Sequence, residues 1–159
     1  MTVAAQAVDA LTLHPGDVRC AGSGVRMETL LGSCVAVVLT DPRRTVGAMC
    51  HIVHSGRAGS SGGAPAAAQA ETALQTMYAL LRERAIQPGL CEAYVYGGGN
   101  MFPGLFPQRH VGLNNIEWVL NALAEDGLRV LHQDVGGNRY RRLSWTVGPE
   151  QPQVVAVDV

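Results

Sequence analysis

Two apolar, β-branched runs, Val35–Thr40 and Val46–Val53, are separated only by Asp41-Pro42-Arg43-Arg44-Thr45. Proline and charge end the first run, and so short a turn brings the chain back beside itself. The pair therefore reads as a β-hairpin. Cys34 stands just before the first strand, behind Gly32-Ser33, and His51 lies within the second. Gly32 removes side-chain bulk in front of the cysteine, while the apolar run behind it provides an anchor. A thiol of ordinary pKa, about 8.5, is only slightly ionised at neutral pH, so a nucleophilic cysteine wants a nearby imidazole or a helix N-terminus. His51 is the first choice for that imidazole, and the hairpin could bring the two together.

Spacing alone leaves two other readings open. Cys34 could be one more buried small hydrophobe, a common fate of free cysteine. Cys50-His51-x-x-His54 could also supply zinc ligands, although on a strand Cys50 and His51 point to opposite faces. No metal site is assigned. Cys20, Cys50 and Cys91 form no close pair with one another or with Cys34, and read as bystander thiols in a reducing compartment. His14, His110 and His132 read as surface or structural residues.

A chain of 159 residues that is 47% hydrophobic and 16% charged can bury a core without disulfides or metal. Its 12 basic residues are scattered among 13 acidic ones, which leaves no electrostatic footprint for nucleic acid. The N-terminus lacks the pattern of a signal peptide, and no apolar run approaches the roughly 20 residues that span a bilayer. The expectation is a cytoplasmic protein without membrane insertion.

Residues 1–13 are expected to be poorly ordered, with one domain from 14 to 159. The stretch 55–63 has the Gly/Ser composition of a mobile loop, and the apolar spacing from Pro65 to Arg84 predicts an amphipathic helix that Pro88-Gly89 ends. Ala93–Tyr96 predicts a strand leading into Gly97-Gly98-Gly99. These glycines read as plain turns or as a close backbone approach, since no phosphate-loop pattern continues from them. Asn114 is expected to cap a helix with Glu117 at its third position and Gly127 at its stop. Leu128–Val135, Arg141–Val147 and Val154–Val157 predict strands, the first two joined by a Gly136-Gly137-Asn138 turn. Hairpins with two helices and no regular alternation argue for an α+β domain with helices packed on a mixed or antiparallel sheet.

Thr29-Leu30-Leu31-Gly32-Ser33-Cys34-Val35-Ala36-Val37, with Asp41-Pro42, Gly47-Ala48-Met49 and His51, resembles the CheD family of chemoreceptor glutamine deamidases. Tyr96-Gly97-Gly98-Gly99-Asn100-Met101, Val111-Gly112 with Asn115, and Asp134-Val135-Gly136-Gly137 followed by Arg141 continue the likeness in the family's order. The resemblance implies a β-sandwich-like core of mixed sheets flanked by helices, similar to deamidating bacterial toxins. It implies hydrolysis of glutamine side-chain amides, presented on the helical surface of methyl-accepting chemotaxis receptors, to glutamate and ammonia, with no cofactor. Carried over by position, Cys34 is the nucleophile, His51 the base, and Thr29 the threonine shortly before the cysteine that orients the imidazole. Gly32, Ser33, Gly98, Asn100 and Asn115 are assigned to substrate binding. A CheC-type phosphatase is a further partner in some systems, and a noncatalytic adaptor for receptor or phosphatase is the rival reading. His54-Ser55, the Gly/Ser-rich loop and Tyr140 depart from the family pattern, and so bear on the lip of the site.

Overall fold

Strand β4 (Val35–Thr40) is buried at every residue, because it lies in the middle of both a sheet and a stack of layers. Successive side chains of a strand point to opposite faces, so β4 divides its residues between two cores. Val35, Val37 and Leu39 enter one core, and Ala36 and Val38 enter the other. The computed structural model describes residues 10–53 and 63–159. The proposed mobile stretch 55–63 and His54 therefore lie outside the described residues, apart from Gly63, which opens a helix.

The elements in chain order are β1 (Leu11–Leu13), β2 (Val18–Gly22), β3 (Arg26–Leu31), β4, β5 (Val46–Ile52), α1 (Gly63–Glu83), β6 (Glu92–Gly97), α2 (Val111–Glu125), β7 (Arg129–Val135), β8 (Arg139–Thr146) and β9 (Gln153–Asp158). One sheet has the order β1-β3-β8-β9 and the other β2-β5-β4-β6-β7. Pairing is antiparallel except for β1 with β3 and β6 with β7, so both sheets are mixed. The sheets face each other across Met27, Leu31, Leu143 and Trp145 on one side and Ala36, Val38, Met49, Tyr94 and Tyr96 on the other. The outer face of the five-stranded sheet is covered by Leu74, Met77 and Leu81 of α1 and Ile116, Val119 and Leu123 of α2. The result is the expected α+β domain with a sandwich core. No helix among the described residues is long and apolar enough to cross a membrane.

The β4–β5 hairpin forms as the sequence predicts, and its turn shows why. Asp41 is buried, and its carboxylate accepts hydrogen bonds from the backbone N–H of Thr45 and Val46 at 2.8 and 2.9 Å and from the Thr45 hydroxyl at 2.7 Å. These contacts favour the charged carboxylate and outweigh its partial burial, so the pKa of Asp41 is lowered.

Four expectations need correction. Leu11–Leu13 are not a loose end but form β1, while residues 1–9 lie outside the described residues. Helix α1 ends at Glu83, before Pro88, because Ala85 turns the backbone left-handed (φ 61°) and Ile86 N–H bonds back to Leu81. Asn114 is not a cap: α2 begins at Val111 and His110 caps it, its Nδ1 accepting from the N–H of Leu113 at 3.2 Å. Gly136-Gly137 does not close a hairpin, since β7 and β8 belong to different sheets. It is a crossover, pinned by Arg141, whose buried guanidinium donates to Gly136 O at 2.8 Å and to Asp134 at 3.1 Å.

Candidate active site

Strand register puts Cys34 and His51 on the same face of the five-stranded sheet. Ala36 pairs with His51 and Val35 with Ile52. Continuing that alternation, Cys34 shares the side of Ala36 and lies diagonally across from His51. Diagonal neighbours stand about 7–8 Å apart along the backbone, a gap that side chains narrow. Cys34 packs, half-buried, against the inter-sheet core, and His51 is only 2% exposed. Cys50 faces the opposite way, fully buried in the helix-side core, so it cannot join His51 around one ion.

The third residue comes from the other sheet. On β3 the inward positions are Met27, Thr29 and Leu31, whereas Glu28 is half-exposed and pairs with Arg26 at 3.4 Å. The Thr29 hydroxyl lies 2.7 Å from His51 Nδ1 and 2.8 Å from the carbonyl oxygen of Leu13. A hydroxyl has one hydrogen, and the carbonyl can only accept. Thr29 therefore donates to Leu13 and accepts from Nδ1–H of His51, which fixes the imidazole as the Nδ1–H tautomer. Its Nε2 lone pair is left buried and without a hydrogen-bond partner among the described residues.

Charge follows from burial. Loss of solvent pushes the His51 imidazole down to about 4; the Asp17 carboxylate opposes this, and His14 adds slightly to it. The same loss of solvent pushes the Cys34 thiol up. At neutral pH the site rests as a thiol and a neutral imidazole, with a lone pair able to take the thiol proton as sulfur attacks an electrophilic carbon. Cys50 is pushed up to about 12 by burial and Cys91 to about 11, mainly by burial, so neither is a competing nucleophile.

The remaining sequence-assigned residues hold the cysteine's surroundings in place. The buried Asn115 amide donates to Ser33 O at 2.9 Å and to Val53 O at 3.0 Å, tying the turn before Cys34 to the end of the strand that carries His51. Gly98 N–H bonds to Cys34 O at 2.8 Å and Gly99 N–H to Gly32 O at 2.9 Å, extending the β4–β6 ladder past the cysteine. A β-carbon on Gly97 would stand 2.2 Å from Cys34 O, and one on Gly112 would stand 2.3 Å from Gly98 O. The triple glycine thus serves close backbone approach, first of the cysteine turn and then of α2. Asn100 is also buried and engaged, donating to Phe106 O at 2.6 Å and accepting from Phe102 N–H at 3.1 Å. In this geometry Asn100 and Asn115 position backbone rather than present free amides.

A profile of the family described as CheD, chemotactic sensory transduction, matches residues 54–153, more than half of the chain. A probable chemoreceptor glutamine deamidase of Albidiferax ferrireducens, CheD 2, is 33% identical over 138 residues, covering 85% of this chain and 80% of that protein. The chain belongs to the CheD family. The chemoreceptor glutamine deamidase CheD of Thermotoga maritima is 33% identical over 124 residues, covering 78% of this chain and 76% of its own length. A Neisseria meningitidis protein of the DUF152 family, known from a crystal structure, shares the fold with a TM-score of 0.50 at 16% identity. That likeness covers 83% of this CheD-family chain and 65% of the solved one, so the chain spans just under two thirds of that protein.

Proposed function

We propose that this CheD-family protein hydrolyses the side-chain amides of selected glutamines on chemoreceptors, through Cys34, His51 and Thr29. The observation that carries the reading is the buried Thr29–His51 hydrogen bond, whose donor sense leaves a lone pair on Nε2 in the layer that Cys34 borders. His51 Nε2 takes the thiol proton as Cys34 sulfur bonds to the amide carbon, and backbone N–H groups around Ser33–Val35 stabilise the oxyanion. The imidazolium returns the proton to the departing nitrogen, the C–N bond breaks, and ammonia leaves a thioester. Water, deprotonated by the same imidazole, then cleaves the C–S bond to release glutamate and restore the thiol.

One domain carries the whole site: Leu13 of β1, Thr29 of β3, His51 of β5 and Asn115 of α2 all contribute. Gly32 and Ser33 form the wall that the substrate amide meets. A neutral amide becomes a carboxylate, so each turnover adds negative charge to the receptor and shifts its signalling equilibrium by like-charge repulsion. A CheC-type phosphatase, if it binds around Cys34, would inhibit in competition with receptor.

The test is mass spectrometry of a purified receptor cytoplasmic domain incubated with this protein, with Cys34→Ala alongside. Glutamine-to-glutamate conversion at defined peptides by the native protein alone is the expected result. No conversion across several receptors, with binding intact, would sink the deamidase in favour of an adaptor.

A further inference from the structure

The chain has two phenylalanines, and both are spent on the surface, in the turn that follows Gly97-Gly98-Gly99. Phe102 is 63% exposed and Phe106 52%, with Leu105 between them at 73%. This is not a loose segment that happens to be apolar. Leu105 and Phe106 N–H both bond to Phe102 O, at 3.0 and 2.9 Å, and the buried Asn100 amide ties down both ends of the turn. A buried side chain with two matched hydrogen bonds is thus used to hold apolar groups partly out in water, where their exposed area gains nothing for the fold.

The turn is continuous with the site. Gly98 and Gly99, which bond to the carbonyls of Cys34 and Gly32, lead directly into it. Its first residue, Met101, packs on Gly32, where an added β-carbon would come 3.1 Å from the Met101 sulfur. A glutamine side chain places its carbonyl carbon only three bonds from its Cα. A protein substrate that delivers such a carbon to Cys34 must therefore bring its own backbone down on the rim around the cysteine, and this turn is part of that rim.

We propose that Phe102, Leu105 and Phe106 form the docking ledge for the chemoreceptor helix that carries the target glutamine, and take the apolar side chains on the same helix face. The inference rests on the deamidase reading for its partner. It adds that selection of the glutamine is made by apolar contact beside the catalytic cysteine.

The test uses Phe102→Ser/Phe106→Ser, with Val155→Ser/Val157→Ser on exposed strand β9 as the control, each in the native and the Cys34→Ala background. Affinity of the Cys34→Ala proteins for a purified receptor cytoplasmic domain is measured by calorimetry, and deamidation by the others is followed by mass spectrometry over a range of receptor concentrations. The phenylalanine changes are expected to weaken binding at least tenfold and to raise KM by a similar factor, while the valine changes do neither. Alkylation of Cys34 by iodoacetamide at an unchanged rate shows that the site is still folded. Receptor binding unaltered by the phenylalanine changes overturns the ledge, as does a result in which they only convert a dimer of this protein to monomers. Binding that depends on the phenylalanines without any deamidation leaves the ledge standing and overturns the deamidase.

Discussion

Replacing Thr29 by valine keeps the β-branched shape on β3 and removes one hydroxyl, which makes it a clean probe of the inter-sheet hydrogen bond. Two buried groups lose their partner, the Leu13 carbonyl at 2.8 Å and His51 Nδ1–H at 2.7 Å. A buried polar group left unsatisfied costs about 1–3 kcal/mol. At the carbonyl this appears as lost stability, a fall in Tm of roughly 2–12 °C for a domain of this size. At the imidazole it removes the preference for the Nδ1–H tautomer, and about 1–3 kcal/mol moves the tautomer ratio by roughly 5- to 150-fold. The fraction of His51 protonated at Nε2 rises, and in that tautomer the lone pair that the proposed mechanism uses to accept the cysteine's hydrogen is blocked. Nitrogen-15 NMR of the His51 ring should report the tautomer change directly, and kcat on a receptor domain should fall by up to about a hundredfold. Thr29→Ser keeps both hydrogen bonds and should restore tautomer and rate. A Thr29→Val protein that retains kcat within a factor of about three, with His51 still protonated at Nδ1, would refute the reasoning.

Other outcomes follow from the same contacts. Because burial lowers His51 to about 4, against its ordinary 6.5, imidazole stays neutral across the physiological range. The acid limb of kcat/KM should fall near pH 4–5, and a limb near 6.5 would contradict the burial argument. The folded state resists that proton while the unfolded chain accepts it, so His51's contribution to stability is complete above pH 6.5 and is lost as pH falls towards 4; His51→Gln should flatten this part of a Tm-against-pH curve. Asn115→Leu strips hydrogen bonds from the carbonyls of Ser33 and Val53, about 1–3 kcal/mol each, so Tm should drop and iodoacetamide should alkylate Cys34 at a changed rate. Gly97→Ala requires a left-handed backbone (φ 110°) and sets a methyl 2.2 Å from Cys34 O. It should cost several kcal/mol or prevent folding, readable by urea denaturation.

The hairpin that carries Cys34 and His51 was legible because both its signals are local: two apolar runs and a turn whose aspartate caps its own backbone. The strands before it were not. Arg26–Leu31 does alternate, but one inward position is Thr29, and a polar residue interrupts the very pattern that would reveal the strand. Its hydroxyl is tolerated inside because it has a donor and an acceptor to meet, and neither partner is near in sequence. The start of α2 escapes the sequence pattern for a related reason: a histidine caps it, where short oxygen-bearing side chains are the usual signal. Asn100 and Asn115 were legible as special but not in what they do. An amide that clamps two backbone carbonyls and an amide that grips a substrate look alike until the carbonyls are in view.

The two layers around β4 divide the work of the site. The helix-side core needs only apolar volume, and it holds Cys50 as a thiol with no route to chemistry. The inter-sheet core accepts one polar line, from Leu13 through Thr29 to His51, and the half-buried Cys34 borders the same layer. Every member of that line is uncharged at rest, which is the least costly way to keep polar groups between two sheets. A preformed thiolate and imidazolium would need the site to stabilise two charges permanently. In the proposed mechanism charge separates only when a substrate carbonyl is present to take up the developing negative charge. The thiol is therefore expected to react slowly with small electrophiles in the absence of substrate. In the proposed mechanism selectivity falls instead to whatever brings a glutamine down on Cys34, the role proposed for the exposed Phe102 and Phe106.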